Sequence, residues 1–293
     1  MDKSLNKMIL TGFTDEASSD LEKQIQVTKA LGWEYLSART IGNGNIHEIT
    51  DSEFEKVCEI LEIHNMKIAE FGTLIGSWSK SIDSDWEVTV AEINRCIPRM
   101  QRLGVRFARV MSYGQKEWGE DQMEQERFKR LREIVARFKD AGLEALHENC
   151  MNWGGFSANH TLRLLEEVPD LRLVFDTGNP VFQRDRSKPS QYPWQSAFDF
   201  YQKVKHAIAH IHVKDAIMHN EEGEPEYTFA GEGNAELDLI LTDLKKENYK
   251  GFIAIEPHMG KVFHLEEQTT NPQEVYDIYL KYGMRFEKFL KEL

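Results

Sequence analysis

The sequence lacks most of the features that mark structural, secreted or membrane-bound chains. It has only three cysteines, Cys58, Cys96 and Cys150. Their number and spacing fit neither a disulfide framework nor a zinc ribbon. No stretch approaches the roughly 18 apolar residues that would span a bilayer. The opening MDKSLNKMILTGF holds no hydrophobic segment of signal-peptide length. These absences lead us to expect a cytoplasmic protein with no membrane partner. There is no Pro/Gly/Ser-rich linker, low-complexity tract or shift in composition, so a single domain over 1–293 is the simplest organisation. Positive charge is scarce, with 36 basic against 49 acidic residues and a formal net charge of −13. Such a surface repels phosphate backbones, and no nucleic-acid partner is expected.

What the chain does contain is a repeating grammar. Hydrophobic residues make up 41% of its 293 positions, enough for a sizeable core. Eight short apolar runs stand out: MILTGFT, YLSAR, KIAEFG, RFARVMS, LEALHEN, LRLVFDTGN, IAHIHVKD and FIAIEPH. Segments of helical periodicity lie between them. Phe54, Val57, Cys58 and Leu61 follow the i, i+3, i+4, i+7 pattern, behind a capping box of Thr50 and Glu53. Phe128, Leu131, Val135 and Phe138 form a second stripe closed by Gly142. Leu237, Ile240, Leu241 and Leu244 form a third, and a final helix is expected from about Pro272. Strand then helix, eight times in fewer than 300 residues, predicts a TIM (β/α)8 barrel of class α/β. An open doubly wound sheet is the alternative, but no G-x-G-x-x-G turn follows the first run.

In such a barrel the site lies at the C-terminal ends of the strands, and four successive runs place a polar group there. Glu148 ends the fifth, Asp176 the sixth, His210 and His212 lie in the seventh, and Glu256 ends the eighth. Three carboxylates and an imidazole at one mouth would repel one another without a cation between them. The mixed oxygen and nitrogen donors suit Mn²⁺, Mg²⁺ or Co²⁺ rather than a soft thiolate metal. Taken singly, a strand-end glutamate is as often solvated, and HIH can be no more than a strand with alternating faces.

HEN, FDTGN, HIHVKD, GEG (Gly231 to Gly233) and AIEPH, in that order, resemble the sugar phosphate isomerase/epimerase superfamily. This is the xylose-isomerase-like group of TIM barrels, which includes ketose 3-epimerases, hydroxypyruvate isomerase and inosose dehydratase. The resemblance implies one divalent cation held by Glu148, Asp176, His212 and Glu256, with Zn²⁺ a further candidate. It selects His212 over His210 because the family's ligand directly precedes the VKD turn. It also implies a ketose, keto-sugar or polyol substrate whose α-proton is moved by Glu148 and Glu256 as base and acid, through a metal-stabilised enediolate. Barrels of this group often self-associate, so a homo-oligomer is compatible, although no interface pattern is legible. One departure is Asn179, where many relatives carry histidine; an amide can bond a hydroxyl but is no acid near neutral pH.

Asn179, Trp153, Lys214, Glu70, His258 and Arg39 are the expected substrate contacts. Indoles pack on sugar C–H faces, and among the four loop tryptophans, Trp78, Trp118, Trp153 and Trp194, Trp153 is favoured because it sits closest in sequence to Glu148. Arg184, Arg186 and Lys188 could receive a phosphate, but the bland reading is a solvated loop. Cys150 reads as a packing residue, and His147 should point away from the mouth. The closest rival keeps the metal and expels a β-hydroxyl, as a keto-sugar or keto-inositol dehydratase would. An apurinic-endonuclease-like phosphodiesterase would need more histidines and a basic face. A non-catalytic sugar-binding barrel would be favoured had Glu148 or Glu256 been lost.

Overall fold

Residues 8–188, 193–219, 225–260 and 271–293 are described by a computed structural model of the chain. All eight apolar runs form strands: β1 Ile9–Gly12, β2 Tyr35–Ala38, β3 Lys67–Phe71, β4 Phe107–Val110, β5 Glu144–Glu148, β6 Arg172–Asp176, β7 Ile208–Val213 and β8 Phe252–Ile255. They hydrogen-bond in the order β1-β8-β7-β6-β5-β4-β3-β2, and every pairing within this sheet is parallel. The two end strands meet through a parallel bridge between Phe13 and Ser37 and through Thr11 Oγ1, which donates to the Tyr35 carbonyl at 3.0 Å. The result is a nearly closed (β/α)8 barrel.

The helices between strands are α1 Leu21–Ala30, α2 Asp51–His64, α3 Trp86–Leu103, α4 Glu124–Asp140, α5 Ala158–Glu167, α6 Ala197–Val204 and α7 Leu237–Lys246; α8 Pro272–Glu292 follows β8. Local sequence starts them. Asp20, Thr50, Asp85, Ser157, Ser196 and Asn271 each accept a first-turn backbone N–H, satisfying a donor that the helix itself cannot. The Thr50/Glu53 capping box is present, and Phe54, Val57, Cys58 and Leu61 are the buried face of α2.

Most of the core lies between strands and helices, in one cluster around β2 to β5 and another around β6 to β8. Inside the barrel the apolar filling is small: Leu146, Val174 and Ala209, with Phe107 beside them. Lower down, the Tyr35 and Phe107 rings sit edge-on to Phe252, and His210 stacks on Phe252 at 5.7 Å. Above this plug the inward positions turn polar, and the chemistry begins there. The stretch between β8 and α8, a candidate lid or subunit contact by sequence, lies outside the described residues over 261–270.

Candidate metal centre and cavity

Strand register brings the expected residues together. Glu148 pairs with Val174 across β5 and β6, Asp176 with His212 across β6 and β7, and His212 with Ala254 across β7 and β8, so the four residues lie within two positions of one another along neighbouring strands. Glu148, Asp176, His212 and Glu256 are all buried, and each offers a ligand atom within 4.8 Å of the others. Each side chain is anchored by its other polar atom. Glu148 Oε2 is 3.4 Å from Arg109 Nη1. Asp176 Oδ1 accepts the backbone N–H groups of Gly178 and Asn179 at 2.9 and 2.7 Å. His212 Nε2 donates to Glu70 Oε1 at 2.9 Å. Glu256 Oε1 accepts from Arg39 Nη1 at 2.5 Å.

Four atoms are left facing a common centre. His212 Nδ1 lies 3.2 Å from Glu148 Oε1 and 3.8 Å from Glu256 Oε2. Asp176 Oδ2 and Glu256 Oε2 are buried and receive no hydrogen bond. The Lys214 ammonium lies 3.2 Å from each without a hydrogen bond, so both oxygens keep a lone pair for a ligand, and a divalent cation is the ligand that this donor set fits. The carboxylate behind the imidazole completes the usual support of a metal-binding histidine: Glu70 fixes the ring and leaves Nδ1 to the centre.

The electrostatics follow the same plan. Burial opposes ionisation of Glu148, but Arg109 and His212 hold its carboxyl below the usual range. Burial likewise opposes ionisation of Glu256, and Lys214, His258 and Arg39 hold it well below that range. Burial raises Asp176 to about 6 against the pull of Lys214, with Glu256 and Glu148 adding to the rise. His212 is raised to about 10 despite burial, because Glu70 and Glu148 favour its proton. A cation at Nδ1 would take that proton's place. Glu70 is held at about 2 against burial by His210, His212 and Arg109.

A cavity of about 460 Å³ opens above this centre. Glu148, Glu256, Arg39, Asn179, Lys214 and His258 line it, together with Arg109 and Trp78. Two expectations are corrected. Trp153 is only 1% exposed and packs edge-on against Phe128 and His160. The 3-10 turn Trp153–Phe156 folds its ring into the outer core instead of toward the mouth. Glu70 does not line the cavity. A register shift between Leu36 and Ser37 pairs it with Ser37, one layer below, where it supports His212. Arg184 stacks on Trp194 at 3.7 Å, and Arg186 lies over Trp118 and Phe156; neither lines the cavity. His147 points outward to Ser112 Oγ at 3.1 Å. Cys150 borders the cavity but burial pushes its thiol well up, as suits a packing residue.

Several site residues escaped the sequence reading. Asp15 and Glu16, just after β1, are buried and both bind Arg39. Glu16 also accepts from the His258 backbone N–H at 2.7 Å and from its Nδ1 at 2.8 Å, fixing a residue whose φ is 54°. Phe13 lies between the Arg39 and Arg109 guanidiniums, 4.5 and 5.5 Å from its ring, with the His212 ring edge-on at 4.9 Å. Two acids directly behind the first strand were the available signal.

Residues 25–278 match the family model described as the xylose isomerase-like TIM barrel. No curated protein sequence matches the chain. Solved structures share its fold over nearly the whole length. The zinc-bound IOLI protein is 14% identical, with a TM-score of 0.72 over 97% of this chain and 98% of that one. The probable 3-DHS dehydratase AsbF of Bacillus anthracis is 17% identical, with a TM-score of 0.66 over 94% and 98%. The D-allulose 3-epimerase of Methylomonas sp., in complex with D-allulose, is 12% identical, with a TM-score of 0.64 over 97% of each chain. At these identities the likeness is one of fold.

Proposed function

This chain belongs to the xylose isomerase-like TIM barrel family, and from that premise we propose that it is a divalent-metal-dependent isomerase or epimerase of a ketose or related keto-sugar. The carrying observation is the convergence of Glu148, Asp176, His212 and Glu256, each anchored behind and each presenting one atom to a common centre. A divalent cation bound there supplies Lewis acidity to a carbonyl and its neighbouring hydroxyl, and so acidifies the C–H between them. Mn²⁺, Mg²⁺ and Co²⁺ suit the donors, and Zn²⁺ is also accommodated. The zinc-bound and D-allulose-bound structures of similar fold support this reading.

The chain's own residues supply the proton chemistry. Glu148 and Glu256 stand three strands apart around the ring, and both border the cavity. Both are held in the ionised form that a base requires. One carboxylate takes the proton from the carbon. The other, after taking up a proton from solvent, returns it to the opposite face to give the epimer; return of the abstracted proton to the neighbouring carbon, with the hydroxyl proton passing to the former carbonyl oxygen, gives the isomer. Asn179, Lys214 and His258 offer hydrogen bonds to sugar hydroxyls, and Trp78, 39% exposed on the wall, offers an apolar face.

The test is turnover of a ketose and keto-inositol panel by metal-loaded protein in deuterated water, followed by NMR. Solvent deuterium on carbon with all oxygens retained is expected. Glu148→Gln and Glu256→Gln should each lower kcat by about 10²-fold or more with unchanged circular dichroism. Near-normal turnover by Glu148→Gln would overturn the two-carboxylate reading. Loss of water from the product would instead make the enzyme a dehydratase using the same ligands.

A further inference from the structure

Lys214 stands at a point of conflict. It follows β7, is buried, and its Nζ lies 3.2 Å from Asp176 Oδ2 and 3.2 Å from Glu256 Oε2. These are the two oxygens that the cation centre requires, since Asp176 Oδ1 and Glu256 Oε1 are already held by backbone amides and by Arg39. Neither contact is directed well enough to be a hydrogen bond, so these two oxygens hold the ammonium by charge. An ammonium and a divalent ion cannot both lie against the same pair of oxygens, because at such separations in a buried site their repulsion is strong. From the same position Nζ donates to Asn179 Oδ1 at 3.3 Å, a partner that the ammonium can keep on leaving the two carboxylates, and both residues border the cavity. Gly178 makes this geometry available: a Cβ there would come within 2.7 Å of Lys214 Cγ and 2.8 Å of its Cβ.

We propose that Lys214 is a built-in competitor for the metal and that metal binding turns it toward the substrate. A divalent cation taking Asp176 Oδ2 and Glu256 Oε2 displaces the ammonium from them; left with Asn179 Oδ1 at the cavity wall, it turns into the cavity, where it donates to a substrate oxygen. Loading of the metal and completion of the sugar-binding wall are then one event. The proposal rests on the metal-ligand reading above, and its test separates the two.

The full-length protein is stripped with a chelator, and Mn²⁺ is titrated calorimetrically into it and into Lys214→Met. The variant should bind Mn²⁺ at least tenfold more tightly, since its competitor is gone. In parallel, acetylation of the wild-type protein by an amine-reactive ester is followed at Lys214 by mass spectrometry. Saturating Mn²⁺ should accelerate labelling there severalfold without changing exposed lysines such as Lys288. Equal or weaker Mn²⁺ binding by a folded variant overturns the proposal while leaving the metal centre intact. Failure of both proteins to bind Mn²⁺ overturns the metal reading and the proposal together. Should the variant not fold, the labelling decides: no change, or protection by Mn²⁺, overturns the proposal.

Discussion

At the scale of single residues, the site is a set of side chains held from behind. Arg39 shows how much depends on one such support. Its guanidinium reaches Asp15, Glu16 and Glu256 at 2.9, 3.1 and 2.5 Å, and these acids raise its pKa against the opposing effect of burial. Replacing it with methionine keeps most of the volume but takes from Asp15 its ion-pair partner and leaves Glu16 to His258 and Glu256 to Lys214. Breaking a buried ion pair from one side costs about 3–5 kcal/mol, so Arg39→Met should lower unfolding stability by at least about 3 kcal/mol in urea titrations. Arg39→Lys should recover only part of the loss, because an ammonium cannot reproduce the planar fork. A variant as stable as the wild type would show that the cluster is neutralised by other means. Arg39, Glu148, Asp176 and Glu256 were legible because each closes an apolar run, whereas His212 was separated from His210 only by the resemblance. Asp15 and Glu16 were not legible, because TDEASSD has the composition of a solvated turn. Their burial comes from α8 and the β8 loop packing over them, which no local pattern records.

At the scale of elements, the eight strands were legible because parallel strands covered on both sides must be nearly continuous in apolar residues. Helix α3 was less so. Its buried face carries Glu92 and Arg99 beside Ile93, Cys96 and Met100, and Pro98 sits inside it, so the apolar stripe is interrupted. Glu70 was misplaced because a one-residue slip in pairing moves a side chain to another level, and slips of that kind leave no mark in composition. The loop after β7 illustrates a motif whose residues were noticed but whose physics needed coordinates. Asp215 accepts the backbone N–H groups of Ala216, Gly231, Gly233 and Ala235 at 2.9 to 3.0 Å, so the GEG turn is wrapped around one carboxylate. Gly233 is required for this wrap, since a Cβ would lie 2.2 Å from Asp215 Oδ1. Asp215→Ala strands these donors, some within reach of water, and should cost about 2–4 kcal/mol by chemical denaturation. Because Lys214 is the preceding residue, Mn²⁺ affinity should change as well. Unchanged stability would mean that water serves the turn as well as the carboxylate does.

For the whole molecule, acidification sets two effects against each other. The formal charge of −13 falls in magnitude as carboxylates protonate, which relieves self-repulsion and favours the fold. That repulsion is spread over the surface and screened beyond about 8 Å at physiological salt. Against it stand histidines buried in neutral form. His47 is pushed down to about 3 by burial and by the nearby cations Lys80, Arg95, Arg99 and Arg109. His147 and His210 are each pushed down to about 4, chiefly by burial. In the unfolded chain these rings titrate near 6.5. Below that value the unfolded state binds protons that the folded state refuses, so stability falls as the pH drops from about 6.5 toward 4. Each such group contributes up to about 1.4 kcal/mol per pH unit in that window. His212 does not counter this, because a group raised to about 10 gives its full stabilisation below 6.5 and loses it only as the pH climbs toward 10. Asp176, raised to about 6, opposes the trend between about 4 and 6, as do Glu92 and Asp215, which burial also raises; the histidines, with half-buried His160 lowered to about 4 beside them, act from about 6.5 downward. The histidines should therefore win. The melting temperature, measured calorimetrically at constant ionic strength, is expected to fall steadily between pH 6.5 and 4.5, and His47→Gln should flatten part of that slope. A melting temperature that held level or rose over this interval would show that relief of surface repulsion outweighs the buried rings.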